Sequence, residues 1–166
     1  MLERLVTKAL ELGVKETKII SPRTIKVASW VRMKCQYGCY GYNQSLTCPP
    51  YSPTPEQTKK TLSDYQKAIL IHSLKCKIIQ EAVRILEKEA YYLGFYKALG
   101  MGAGPCELCP KCSLKNACKY PSLARPSMEA CGIDVFISVR NNGFLVETLK
   151  EEDQEKANYF GLILIT

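Results

Sequence analysis

Cys106, Cys109, Cys112 and Cys118 fall within thirteen residues of a chain that has nine cysteines and one histidine. Thiolates at that density serve soft metal centres or redox chemistry. An iron–sulfur cubane carries an iron at each of four corners, and each iron wants one terminal thiolate. Three cysteines with two residues between neighbours let one short loop wrap a face of such a core. Cys106, Cys109 and Cys112 have that spacing, and Cys118 or Cys131 can supply the fourth thiolate. Gly100, Gly102 and Gly104 relax the backbone on entry, while Pro110 and Pro121 stiffen it. Zinc is the alternative. A tetrahedral zinc site usually draws two C-x2-C pairs from separated points, so a third thiol three residues after the first pair is surplus to it. The run also departs from the bacterial ferredoxin pattern, in which the fourth cysteine follows after three residues and is trailed by proline. Here five residues intervene, and Lys119 and Tyr120 separate Cys118 from Pro121.

Cys35, Cys39 and Cys48 form a second set, bounded by Gly38, Gly41 and the pair Pro49-Pro50. Three thiolates serve three corners of a cubane, leaving one iron to Cys131, to another ligand or to substrate. An incompletely ligated iron is a Lewis acid. A three-thiol zinc site and buried structural cysteines are the other readings of this set. Tyr37, Tyr40, Tyr42 and Tyr51 crowd the same segment, where they shield a cluster, stack on a ligand or, most plainly, pack the core and rim. Cys76 has no thiol companion nearby and reads as a small buried hydrophobe. His72 reads as a satisfied polar edge residue. Arg125 has the chemistry to counter a cluster's charge or to grip a carboxylate bidentately. No nucleotide fingerprint, hydrolase elbow or interpretable carboxylate pair is present.

The elements that must hold these thiols follow from periodicity. Leu2, Leu5, Val6, Ala9 and Leu10 share one helical face over residues 2–12, ended by Gly13. Residues 18–21 and 24–31 read as strands broken by Pro22. Thr54, Pro55 and Gln57 predict a capping box for a helix running to Ser63. Residues 68–72 predict a buried strand, and residues 76–97 a long amphipathic helix with Ile79, Ala82, Val83, Leu86, Ala90 and Leu93 inward. From 127 to 142 the pattern fits either a strand or a helix, and helix is preferred, after a turn at Gly132. Residues 144–148 and 159–165 read as strands. The expected fold is α/β, a compact mixed sheet packed with helices plus cysteine-rich metal-binding loops, in a single domain over residues 1–166.

Composition narrows the partners. No apolar run approaches the roughly 20 residues of a membrane span, and the N-terminal run lacks the apolar core of a secretion signal. Clustered thiols then predict a cytoplasmic protein. The formal charge of +7 suggests nucleic acid at first sight. A cubane held by four thiolates carries about −2 overall, so one cluster leaves roughly +5 and two roughly +3. Nucleic acid is therefore not the expected partner.

The motifs C35-x3-C39-x-G-Y-x5-C48-P-P-Y-S-P-T-P55 and G102-A-G-P-C-x2-C-x2-C-x5-C118-x2-P-x3-R-P-S-M-E-A-C-G-I-D134 together resemble the family of small metal-binding proteins known as domain of unknown function 2284. The resemblance covers essentially the whole chain and implies metal binding, of iron–sulfur type, with no activity attached. The matching cysteines are Cys35, Cys39, Cys48, Cys106, Cys109, Cys112, Cys118 and Cys131, and Cys76 matches nothing in the motifs. The expectation is thus one or two 4Fe-4S clusters, with zinc as the alternative, and one-electron transfer to a redox protein partner. An enzyme component with an open-coordinate cluster and a zinc-stabilised nucleic-acid or protein binding module are the alternatives.

Overall fold

A computed structural model describes residues 1–166, apart from the side chain of Gln154. The chain runs α1 (Leu2–Glu11), β1 (Glu16–Ile20), α2 (Ser29–Gly38), α3 (Pro55–Ser63), β2 (Ala68–Ser73), α4 (Cys76–Tyr92), β3 (Leu99–Met101), α5 (Val135–Asn141) and β4 (Tyr159–Leu164). The four strands form one antiparallel sheet in the order β1-β2-β4-β3. This is the expected mixed α/β fold. No helix among the described residues is long and apolar enough to cross a membrane.

Interior position explains the continuous apolar run of β2, since both of its faces are covered and all six of its residues are buried. Alternate residues feed two cores. Ile69, Ile71 and Ile163 face α1 and α4, whose Leu5, Ala9, Ile79, Val83 and Leu86 fill that side. Leu70, Leu162 and Leu164 face the other way, toward Leu62 of α3, Val139 of α5, and Met128 and Cys131. Gly161 sets how closely α4 can lie on β4, because a Cβ there would stand 2.8 Å from both Ile79 Cγ2 and Val83 Cγ2.

Four readings from periodicity are corrected. Residues 24–31 are not a strand: Pro22–Thr24 is a 3-10 turn, Val27 makes only an isolated bridge to Ile133, and α2 has begun by Ser29. The β-branched residues there fit either state, and the following Arg32, Met33 and Lys34 favour the helix. Residues 144–148 form no strand; Phe144 is buried edge-on to Phe160, whereas Leu145 is fully exposed. The long helix stops at Tyr92, ahead of Gly94 with its φ of +95°, and the short strand β3 lies beyond it. His72 lies on an interior strand, its Nε2 2.7 Å from Asn158 Oδ1. Elsewhere the structure agrees with the sequence: Thr54 and Gln57 close a capping box, and α5 follows a left-handed Gly132 with Asp134 accepting from the Ile137 N–H at 3.1 Å.

Candidate metal centre

Three of the predicted ligands lie on α2 and the loop that leaves it. The helix packs its buried Val31 side on the turn Glu129–Cys131, and the Ala28 N–H donates to the Gly132 carbonyl at 2.9 Å. Cys35 lies one turn after Val31 and is half-buried, and Cys39 ends the helix by donating its N–H to the Cys35 carbonyl at 3.2 Å. The loop then folds on itself. The Gly41 N–H donates to Cys39 Sγ at 3.4 Å, Asn43 N–H to the Pro49 carbonyl at 2.8 Å, and Cys48 N–H to the Ser45 carbonyl at 3.0 Å. Arg32 of α2 reaches across to hold the far end, donating to the Pro53 carbonyl at 2.8 Å.

These bonds bring two sulfurs to one empty place. A Cβ added at Gly41 would stand 3.5 Å from Cys39 Sγ and 3.6 Å from Cys48 Sγ, so glycine keeps the space between the thiols open. Cys35, Cys39 and Cys48 line one cavity of ≈ 480 Å³. Burial pushes the Cys48 thiol above its ordinary range, and neighbouring Cys39, Cys35 and Cys106 push it further. Cys35 is raised likewise by burial, Cys39 and Glu129, with Arg32 opposing. A soft metal removes this penalty by taking the thiolates as ligands.

The second loop enters from β3. Gly102 is tied to the returning chain by its N–H on the Pro126 carbonyl, at 2.8 Å. Gln80 of α4 donates to the carbonyls of Ala103 and Pro105, both at 3.0 Å, which fixes the approach to Cys106. On the exit side Arg125 grips Glu87 with Nε and Nη2, Nε to Oε2 at 2.7 Å, and the same carboxylate accepts from the Gly100 N–H at 2.6 Å. The two thiol loops meet: the Leu46 N–H donates to Cys112 Sγ at 3.4 Å, and Cys106 is close enough to Cys48 to act on its titration. Cys109 and Cys118 are half-buried on the same loop.

Cys131 is fully buried in the core, and burial pushes its thiol up to about 12. It lines a separate cavity of ≈ 400 Å³ together with Cys118, so both candidates for the fourth thiolate border one space. Cys76 is half-buried at the start of α4, its thiol 3.3 Å from the Ala103 carbonyl, which is more open than the buried position expected of it. Tyr37 and Tyr40 are 77% and 87% exposed and shield nothing, whereas Tyr42 lines the first cavity. Among the described residues, no three His, Cys, Asp or Glu side chains converge tightly enough to grip a single ion.

Two features of the site escaped motif reading. Glu129 lines the cavity beside the three thiols and is exposed, while desolvation by the surrounding protein pushes its carboxyl up. Its signal was isolation, for it is the one acid between residues 108 and 133. The other feature is charge: residues 17–55 hold Lys18, Arg23, Lys26, Arg32 and Lys34 and no acid, and residues 108–128 hold Lys111, Lys115, Lys119 and Arg125 and no acid. Cys35, Cys39, Cys48, Cys109, Cys112 and Cys118 thus sit in stretches whose only charges are positive, Glu107 beside Cys106 being the exception in the second loop, which suits anionic metal–thiolate groups.

A four-stranded antiparallel sheet layered with helices, bearing seven thiols on two abutting segments, defines a cysteine-rich mixed α/β protein. The chain belongs to the family described as predicted metal-binding protein (DUF2284), whose model matches residues 18–165. No curated protein and no solved structure matches it.

Proposed function

We propose that the chain, acting as one domain over residues 1–166, binds iron–sulfur and passes single electrons to a protein partner. The observation that carries this reading is the meeting of the two thiol loops, through Leu46 and Cys112 and through Cys48 and Cys106. Seven thiols shared between adjoining loops, too widely spread for one ion, suit a multi-iron core better than zinc, which draws its sulfurs in to about 2.3 Å. Cys106, Cys109 and Cys112 would hold one core with Cys118 or Cys131, and Cys35, Cys39 and Cys48 a second. A core held there supplies reversible one-electron chemistry. The chain's part is to keep both loops pinned, through Arg32, Gln80 and the Arg125–Glu87 pair, so that little moves when charge changes. Its acid-free segments offset the negative charge of the thiolates and favour docking of an acidic partner.

The test is oxygen-free purification with iron, zinc and acid-labile sulfide counted per chain. Iron and sulfide in near-equal amounts are expected, with Cys109→Ser losing about one cluster's iron and Cys76→Ser losing none. A folded, colourless preparation without iron or sulfide overturns the reading. The cavity at Cys35, Cys39 and Cys48 favours a second reading, in which an iron lacking a protein ligand meets a small substrate there.

A further inference from the structure

The cavity of ≈ 400 Å³ bordered by Cys118 and Cys131 also takes in a polar group that has no partner. Most hydroxyls on its wall are engaged: Ser52 donates to the Ala130 carbonyl at 2.6 Å, Tyr51 to Asn43 Oδ1 at 2.8 Å, and Thr47 pairs with Ser45 at 3.0 Å. Thr58 is different. It is 1% exposed, and its Oγ1 makes no hydrogen bond among the described residues, not even to the carbonyl one turn back that helical threonines often take. A hydroxyl buried in this way is destabilising until something accepts from it.

Helix α3 sets Thr58 beside Cys131. Pro55, one turn before Thr58, lies flush on the turn that bears Cys131, because a Cβ at Gly132 would stand 2.8 Å from Pro55 Cγ. Thr58 is within reach of the Cys131 thiol, yet no bond of ordinary geometry joins them. A neutral thiol is a weak acceptor, whereas a thiolate is a strong one. Metal ligation makes the thiolate, since the ligand gives up its proton. The orphaned hydroxyl therefore fits a metal-bound Cys131 better than a free one. Leu46 lines the same cavity, and its N–H is the group that meets Cys112 Sγ, so the space adjoins the loop thiols.

The backbone also separates the two candidates for the fourth thiolate. The Cys131 N–H donates to the Ser127 and Met128 carbonyls at 3.3 and 3.1 Å, and the preceding Ala130 is held at its carbonyl by Ser52 and through its N–H on Ser127 Oγ at 3.0 Å. The backbone of Cys118 makes no hydrogen bond among the described residues. We propose that Cys131 is the fourth ligand of the core held by Cys106, Cys109 and Cys112, with Thr58 Oγ1 donating to its sulfur and Cys118 outside the ligand set. This rests on the metal reading and deepens it at one corner, where Thr58 is a positioning residue that also tunes the potential.

Oxygen-free protein is assayed for iron and sulfide per chain, and its midpoint potentials are read by redox titration followed by electron paramagnetic resonance. Cys131→Ala is expected to lose about one cluster's iron, and Cys118→Ala none. Thr58→Val keeps the shape and removes the donor. It should leave iron and sulfide unchanged and shift one midpoint to more negative values, because losing a donor to a ligand sulfur disfavours the extra electron. Thr58→Ser should hold that midpoint near the wild-type value. Full iron in Cys131→Ala, or a midpoint that Thr58→Val leaves in place, overturns the proposal; the second is the result expected if only water satisfies the hydroxyl. If Cys131→Ala does not fold, Thr58→Val decides. A wild-type chain without iron or sulfide sinks the metal reading itself, whereas a loaded chain with an unmoved midpoint sinks only this inference.

Discussion

Cys131 shows what burial does to a single thiol. Its folded titration point is pushed from 9.0 up to about 12, so the native state keeps the proton that the unfolded chain gives up. Below about pH 9 both states are protonated, and the full stability is present. Between 9 and 12 the unfolded chain binds fewer protons than the native one, so stability must fall as pH rises through that window. Cys35, Cys48 and Cys76 are raised as well and act in the same direction. The expected outcome is a urea midpoint of metal-free protein that drops between pH 8 and pH 10.5, and drops less in Cys131→Ala. At this scale the cysteines were legible because their spacing is itself the chemistry. Glu129 was not, because nothing in a lone acid tells of the cavity that the fold builds around it.

The helices and strands differ in how much local sequence decides them. Thr54 and Gln57 satisfy each other's backbone N–H groups within four residues, so the start of α3 could be read directly. The start of α2 could not, because Val27 and Val31 suit a strand equally and the choice is made by the turn Glu129–Cys131, a hundred residues away. Strand β3 is three residues long and contains Gly100, whose N–H is held by Glu87 of α4, so tertiary pairing alone makes it a strand. That carboxylate serves Arg125 and Gly100 at once from a largely buried position. Glu87→Ala should therefore lower stability by about 2–3 kcal/mol, measured by denaturant unfolding, and should loosen the exit of the second thiol loop to proteolysis. Gly161→Ala forces a methyl against Ile79 and Val83 and should cost about 1–3 kcal/mol, seen as a lower melting temperature with thiol reactivity unchanged.

At the scale of the molecule, charge and topology matter more than any one contact. The mixed α/β class was legible from the alternation of helical and strand patterns, but the sheet order was not, because β4 enters between β2 and β3 through pairings that no local signal encodes. The acid-free thiol segments make one side of the chain's charge budget strongly positive. If an acidic protein takes the electron, its association rate should fall steeply as ionic strength rises from about 0.01 to 0.15 M, where the screening length shrinks from roughly 30 to 8 Å. Stopped-flow oxidation by an acidic acceptor would measure this, and a salt-independent rate would exclude such steering. The inside position of β4 also bears on how the chain is made. It is the last strand to leave the ribosome, and until it arrives β2 and β3 have nothing between them. Both thiol loops are therefore born seconds before their scaffold is complete, reactive and unsheltered. During that interval the thiols of both loops lack the packing that the finished sheet gives them.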